Sequence, residues 1–290
     1  MQPDFKKLSD RYPQKRAVIT GAASGLGLDL TRLLASAGWC VGMLDYNQEQ
    51  LEKSEADLQS QVTGKLDPYR VDVSKADVFQ AAVDQFVEKH GGLDLMINNA
   101  GILCYGPFID IPLEKWNALI NVNLLGVIHG CNAALKYMQS QQQGGVIVNI
   151  ASLAALIPSI SPPYAVTKAA TLSLSEWLYA ELIDSPIQVS VVMPGVFGSN
   201  ISRGEMVDPE HKEKSVRYIE EQLKKNQILS SSEVAKNILK DIARERFYIF
   251  PTQGGRFLWF MKRFIPQRFL KGLKRSYEKS DLSGIYAKNH

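Results

Sequence analysis

The feature that most constrains this chain is a repeated alternation of short β-branched runs with longer amphipathic stretches. Strand-like segments at 15 to 20, 39 to 45, 66 to 71, 93 to 98, 146 to 151, 187 to 193 and 246 to 250 are separated by helical patterns at 25 to 37, 47 to 60, 75 to 90, 113 to 139, 164 to 184 and 231 to 243. Repeated strand–helix–strand units cross over right-handedly, which predicts a parallel sheet covered by helices on both faces. The runs VIVNIA (146 to 151) and VSVVM (189 to 193) are apolar almost throughout, as strands buried on both sides require. The expected class is α/β: one doubly wound domain over 1 to 250, with an appended segment 251 to 290. In such sheets ligands bind beyond the carboxyl ends of the strands, where the strand order reverses. The motifs described next all fall at such ends.

Composition excludes several classes. An apolar fraction of 45% and a charged fraction of 22% suit a globular core. The segment MQPDFKKLSDRYPQKR lacks the apolar stretch of a signal peptide. No run of about 18 apolar residues marks a spanning helix. The chain reads as cytoplasmic. Cys40, Cys104 and Cys131 are odd in number and fit no metal-ligand spacing, so they read as reduced thiols, with Cys104 placed to line the cleft. His90, His129, His211 and His290 have no second ligand at helical or strand spacing, and no metal is expected. Phe79 and Phe86 read as core.

After Ala17-Val18-Ile19-Thr20, glycines stand at 21, 25 and 27. They permit a tight turn, close backbone approach to a pyrophosphate and close packing of the helix that follows, whose free N–H groups favour phosphates. Gly21, Ser24, Gly25, Leu26 and Gly27 are therefore candidate dinucleotide contacts. The second strand ends in Asp45, where a carboxylate can accept hydrogen bonds from ribose hydroxyls and would repel a 2'-phosphate. Ser24 and Tyr46 offer no cation, so NAD(H) is expected over NADP(H). Lys15 and Arg16 keep the alternative open; otherwise they are solvated charges at the strand edge.

Tyr164 and Lys168 stand four residues apart after Pro162-Pro163, with Ser152 twelve positions before the tyrosine. Positions i and i+4 share a helix face, which brings a phenol and an ammonium to one cleft. A free tyrosine, with a pKa of about 10, is a poor base at neutral pH. An ammonium beside it would favour the phenolate. A serine at the end of the fifth strand can polarise a substrate oxygen. Ser159 and Ser161 are weaker candidates for that role.

Together these motifs resemble the short-chain dehydrogenase/reductase family over roughly residues 15 to 250. The resemblance implies a Rossmann-type fold and hydride transfer between a nicotinamide and an alcohol or carbonyl. It implies that Asn123, Ser152, Tyr164 and Lys168 form the catalytic set, with Asn123 supporting a proton-conducting water and Lys168 also holding the nicotinamide ribose. It assigns Asp72 and Val73 to adenine, and Asn99, Ala100 and Gly101 of Asn98-Asn99-Ala100-Gly101 to the cofactor. Pro194, Gly195, Val196 and Ser199 would lie beside the nicotinamide. The interval from Ser152 to Tyr164 is one shorter than is common in the family. The resemblance also implies a homodimer or homotetramer through the helices at 113 to 139 and 164 to 184. Leu153, Leu156, Ile157, Ile160 and Phe197 favour an apolar substrate, and 196 to 230 reads as a lid.

The C-terminal segment departs from that pattern. Residues 246 to 277 hold eight Lys or Arg and no acid, leaving 25 basic and 30 acidic residues elsewhere. Phe257, Phe260, Met261, Phe264 and Ile265 recur at helical spacing, and Phe269, Leu270 and Leu273 repeat the scheme after Pro266. Such a basic amphipathic stretch over 256 to 275 suits either docking on protein or contact with a membrane surface. No nucleic-acid recognition motif accompanies it.

Overall fold

A computed structural model describes residues 5–106, 108–157, 161–198, 205–206 and 228–278. The first half runs α1 (Lys6–Arg11), β1 (Arg16–Thr20), α2 (Gly25–Ser36), β2 (Cys40–Asp45), α3 (Gln48–Gln59), β3 (Leu66–Arg70), α4 (Ala76–His90) and β4 (Leu95–Asn98). There follow β5 (Cys104–Tyr105), α5 (Leu113–Ile120), α6 (Gly126–Met138), β6 (Gly145–Ile150), α7 (Pro162–Glu181), β7 (Ile187–Val192) and β8 (Glu205–Met206). The chain closes with α8 (Ser231–Ile242), β9 (Tyr248–Ile249), α9 (Gly255–Phe264) and α10 (Pro266–Glu278).

Seven strands form one sheet in the order β3-β2-β1-β4-β6-β7-β9, with every described pairing parallel. The predicted doubly wound, Rossmann-type sheet is present. Its direction of growth reverses between β1 and β4, which sets the crevice there. Strand side chains alternate between the two faces. Ala17, Ile19, Val41 and Met43 meet α2 and α8 on one side, while Val18, Leu44 and Met96 meet Phe79, Val83 and Phe86 of α4 on the other.

Three elements were not foreseen. Helix α1 buries Phe5, Leu8 and Tyr12 against the first core face, and the Trp39 indole donates to Ser9 Oγ at 3.0 Å. Strands β5 and β8 pair outside the main sheet, joining the loop after β4 to the segment expected to be a lid. The remainder of that segment, 199–204 and 207–227, lies outside the described residues.

The helix expected over 113 to 139 is interrupted by a π-helical turn at Asn121–Leu125. Such turns concentrate at functional sites, and this one carries Asn123. The stretch Leu113–Met138 has a mean hydropathy of 1.4 and is long and apolar enough to cross a membrane by length and composition. No unbroken apolar run signals this. Its buried face, including Val127, Cys131 and Met138, packs with α4 and the sheet in one core cluster.

Candidate active site

The glycine turn is built for a close approach to its neighbours. Gly21 and Gly25 take φ of +65° and +53°, a region where a side chain would be strained. A Cβ on Gly27 would lie 2.0 Å from the Gly21 carbonyl oxygen. Ser24, at the start of α2, makes no side-chain cap. The first-turn amides of a helix have no partner within it, and here Gly25 and Leu26 line the cleft.

Thr20 ties this turn to β4, a role the sequence reading missed. Its Oγ1 accepts from the backbone N–H of Asn99 and of Ala100, both at 2.9 Å. Asn99 Nδ2 donates back to the carbonyls of Thr20 (2.9 Å) and Gly21 (3.2 Å). The only signal was a hydroxyl residue immediately before the first glycine.

Asp45 lines the same cleft. Its carboxylate accepts from Ala23 N–H and Asn47 N–H, each at 3.0 Å. Four lone-pair sites leave it capacity for further donors. Asp72 and Val73 also line the cleft, as do Asn99, Ala100, Gly101 and Pro194. Asp72 Oδ1 holds Ser74, and the Val73 carbonyl is bonded to the His129 ring at 2.9 Å.

Arg16 is not a solvated charge, while Lys15 stays partly exposed at the strand edge. Arg16 is 7% exposed and forms a two-pronged pair with the fully buried Asp94 (3.0 and 2.7 Å) at the amino ends of the strands. Lys15 donates to the Ala37 carbonyl at 3.0 Å. The sheet separates that edge from the cleft.

At the other end of the cleft, α7 presents Tyr164 and Lys168 toward the end of β6. Lys168 is 2% exposed; its Nζ donates to the Ile150 carbonyl at 2.7 Å and lies 5.6 Å from the Tyr164 ring centroid. Ser152, after β6, accepts from Ala154 N–H at 3.1 Å, and its hydroxyl acts on the Tyr164 phenol. Burial pushes the phenol up to about 12, opposed by the Ser152 hydrogen bond. The expected acidification rests on Lys168 together with an oxidised nicotinamide; the same burial that disfavours the phenolate lowers the ammonium to about 8.

Asn123 is fully buried. Its Oδ1 accepts from Ile102 N–H at 2.8 Å, and its Nδ2 donates to the Ile102 carbonyl (2.9 Å) and Thr167 Oγ1 (3.3 Å). The side chain thus clamps the loop after β4 to α7. Ser161 Oγ is committed to the Cys104 carbonyl, while Ser159 and Ser199 lie outside the described residues. Gly195 N–H donates to Thr252 Oγ1 at 2.8 Å, and Val196 is 58% exposed beside it.

The two ends belong to one cleft of about 960 Å³. Its apolar wall differs from expectation. Leu153 and Leu156 turn into a cluster with Val191 and Met193, Ile157 packs against that cluster, and Ile160 lies outside the described residues. The expected Phe197 and Cys104 do line the cleft, together with Leu103, Ala118 and Leu119.

A family model described as short chain dehydrogenase matches residues 15–209. The chain is 35% identical over 184 residues to "Probable oxidoreductase EphD" of Mycobacterium tuberculosis, covering 63% of this chain but only 31% of that relative. It is 31% identical over 211 residues to "3beta-hydroxysteroid dehydrogenase 1" of Eggerthella lenta, covering 72% of this chain and 81% of the relative. A short-chain dehydrogenase/reductase of Burkholderia phymatum, solved in complex with NAD, superimposes with a TM-score of 0.75 at 26% identity, covering 92% of this chain and 95% of that one. The glycine turn, the Tyr164–Lys168 helix and the extent of the family match together make this chain a member of the short-chain dehydrogenase family.

Proposed function

We propose that this chain is a nicotinamide-dependent oxidoreductase that transfers a hydride between NAD(H) and an apolar alcohol or carbonyl compound. The observation that carries the reading is that Tyr164 and Lys168, with Ser152 acting on the phenol, line one end of the cleft whose other end is the glycine turn. The cleft suits a dinucleotide: glycines where a Cβ has no room, α2 amides at its wall, and Asp45 with acceptor capacity to spare. A bound nicotinamide supplies the hydride-exchanging carbon and, when oxidised, a positive charge.

The residues then divide the work. Ser152 polarises the substrate oxygen. Tyr164 moves the proton at its hydroxyl, and Lys168 supplies the nearby cation. Asn123 positions the Ile102 backbone and Thr167 rather than the substrate. With the phenol above its ordinary range, the neutral-pH protein holds a proton donor, which suits carbonyl reduction. Alcohol oxidation should accelerate as pH rises, because the phenol must give up that proton.

Asp45 and the absence of a cation at Ser24 and Tyr46 support NAD(H) over NADP(H). The commitment of Arg16 to Asp94 removes one route to a 2'-phosphate. Leu103, Leu119 and Phe197 in the wall support an apolar substrate, and a steroid dehydrogenase is among the relatives. Leu125, Val166 and Trp177, exposed on or beside the long helices, support assembly as a homo-oligomer.

Steady-state rates over alcohols of graded chain length, with NAD and NADP in parallel, test the assignment. The expected result is a higher kcat/KM for NAD and a rise with chain length. A Tyr164→Phe variant should lose about a thousandfold in kcat/KM. Full retention by that variant would overturn the enzymatic reading.

A further inference from the structure

The C-terminal helices carry a surface that the redox site leaves unexplained. At 100° per residue, Gly255, Leu258, Trp259 and Lys262 fall on one side of α9, and that side is docked. Gly255 is buried, Leu258 and Trp259 pack against the Leu153, Leu156 and Met193 cluster, and Lys262 Nζ approaches the Ala155 carbonyl at 3.4 Å. Phe257, Phe260 and Phe264 fall on the opposite side. They are 64%, 52% and 63% exposed, and the rings of Phe260 and Phe264 lie 4.3 Å apart.

The amphipathic pattern in the sequence predicts an apolar face; the structure shows that α9 docks by its other side and leaves the phenylalanines outward. Cations surround them. Arg256 and Arg263 flank this face on α9, and Arg268 and Lys271 are exposed on α10. Among the described residues, no carboxylate pairs with any of these four, whereas Arg246, before the helices, pairs with Asp241 at 2.7 Å. Exposed aromatic side chains in a row mark an interaction surface. Arg263 lies over the Trp259 ring at 5.5 Å, and cations around an aromatic row, with no carboxylate paired to them among the described residues, call for an anionic one.

We propose that α9 and α10 dock on an anionic phospholipid bilayer, with Phe257, Phe260 and Phe264 entering the headgroup–acyl boundary and Arg256, Arg263, Arg268 and Lys271 meeting the phosphates. A bilayer offers what this surface requires: an apolar layer under a sheet of negative charge. Nucleic acid would satisfy the cations but leave a continuous aromatic row in water. The proposal does not depend on the redox assignment, since it reads only the surface.

Co-sedimentation of the full-length chain with phosphatidylcholine vesicles, with and without phosphatidylglycerol, tests it. Binding is expected to the anionic vesicles alone and should weaken as salt is added. Each cation near such a surface contributes about fivefold in partitioning, so the combined variant Arg256→Gln, Arg268→Gln, Lys271→Gln should lose roughly a hundredfold. The combined variant Phe257→Ser, Phe260→Ser, Phe264→Ser should lose at least as much, with an unchanged melting temperature because all three side chains face solvent. Absence of sedimentation with anionic vesicles would overturn the proposal. So would equal binding to both vesicle types, or wild-type binding by either variant. A serine variant that lowers the mass in light scattering without altering vesicle binding would assign the face to a second copy instead.

Discussion

The two ends of the sheet each bury a cation, and they treat it in opposite ways. At the amino ends of the strands Arg16 meets Asp94 through two hydrogen bonds, and Gly91 and Gln143 satisfy the remaining groups. At the carboxyl ends Lys168 meets, among the described residues, the neutral Ile150 carbonyl and no carboxylate, with the Tyr164 ring beside it. A buried charge with its counter-ion holds a fold in one arrangement. A buried charge without one is costly, and such cost persists where chemistry requires it. The comparison separates a structural edge from a functional edge within a single sheet.

The largest expected effect tests the structural edge. Arg16→Ala leaves the Asp94 carboxylate buried and unpaired, which should cost about 3–5 kcal/mol of stability. Denaturant titration measures this, and kcat/KM per folded molecule should stay at the wild-type level. A proportionate loss of kcat/KM would break the division between the edges.

The next effect concerns pH at the functional edge. Burial lowers the Lys168 ammonium from 10.5 to about 8. Below about pH 8 the amine is protonated in both the folded and the unfolded chain, so the folded state bears the whole cost of a buried charge. As pH rises further, the unfolded chain holds a proton that the folded chain has released. This group's contribution to stability therefore rises with pH, by at most about 1.4 kcal/mol per pH unit. The difference in unfolding free energy between wild type and Lys168→Met should climb between pH 8 and 10. A flat difference would show that the lysine is not burdened by burial.

The smallest effect sharpens the account of the cleft. Asp45→Ser removes the acceptor held by Ala23 and the repulsion of a 2'-phosphate, and the kcat/KM ratio of NAD to NADP should fall about tenfold or more. An unchanged ratio would take cofactor choice away from Asp45.

Much of the site was legible because each motif carries its own local cause. The spacing of Gly21, Gly25 and Gly27 dictates a turn, and Tyr164 and Lys168 share a helix face by periodicity alone. What failed were inferences about surroundings. Their apolar side chains make Leu153 and Leu156 candidates for the cleft wall, yet the turn at Leu153–Ala155 carries them into the cluster beneath α9. From the sequence Arg16 is either a cation that keeps NADP(H) open or a solvated charge at the strand edge, and nothing local announces Asp94, 78 residues away. The π-helical turn at Asn121–Leu125 has the same origin. It presents Asn123 to Ile102, a partner set by tertiary packing.

The sequence by itself determined the alternation of strand and helix, the all-parallel sheet and the identity of the groups at its carboxyl edge, since period, turn chemistry and side-chain type act over a few residues. Tertiary structure alone decided which charges are paired, which leucines face the cleft and which side of α9 remains outward. Those outcomes depend on what a side chain meets from distant segments, and burial, which sets both the phenol of Tyr164 and the ammonium of Lys168, exists only once the segments have packed.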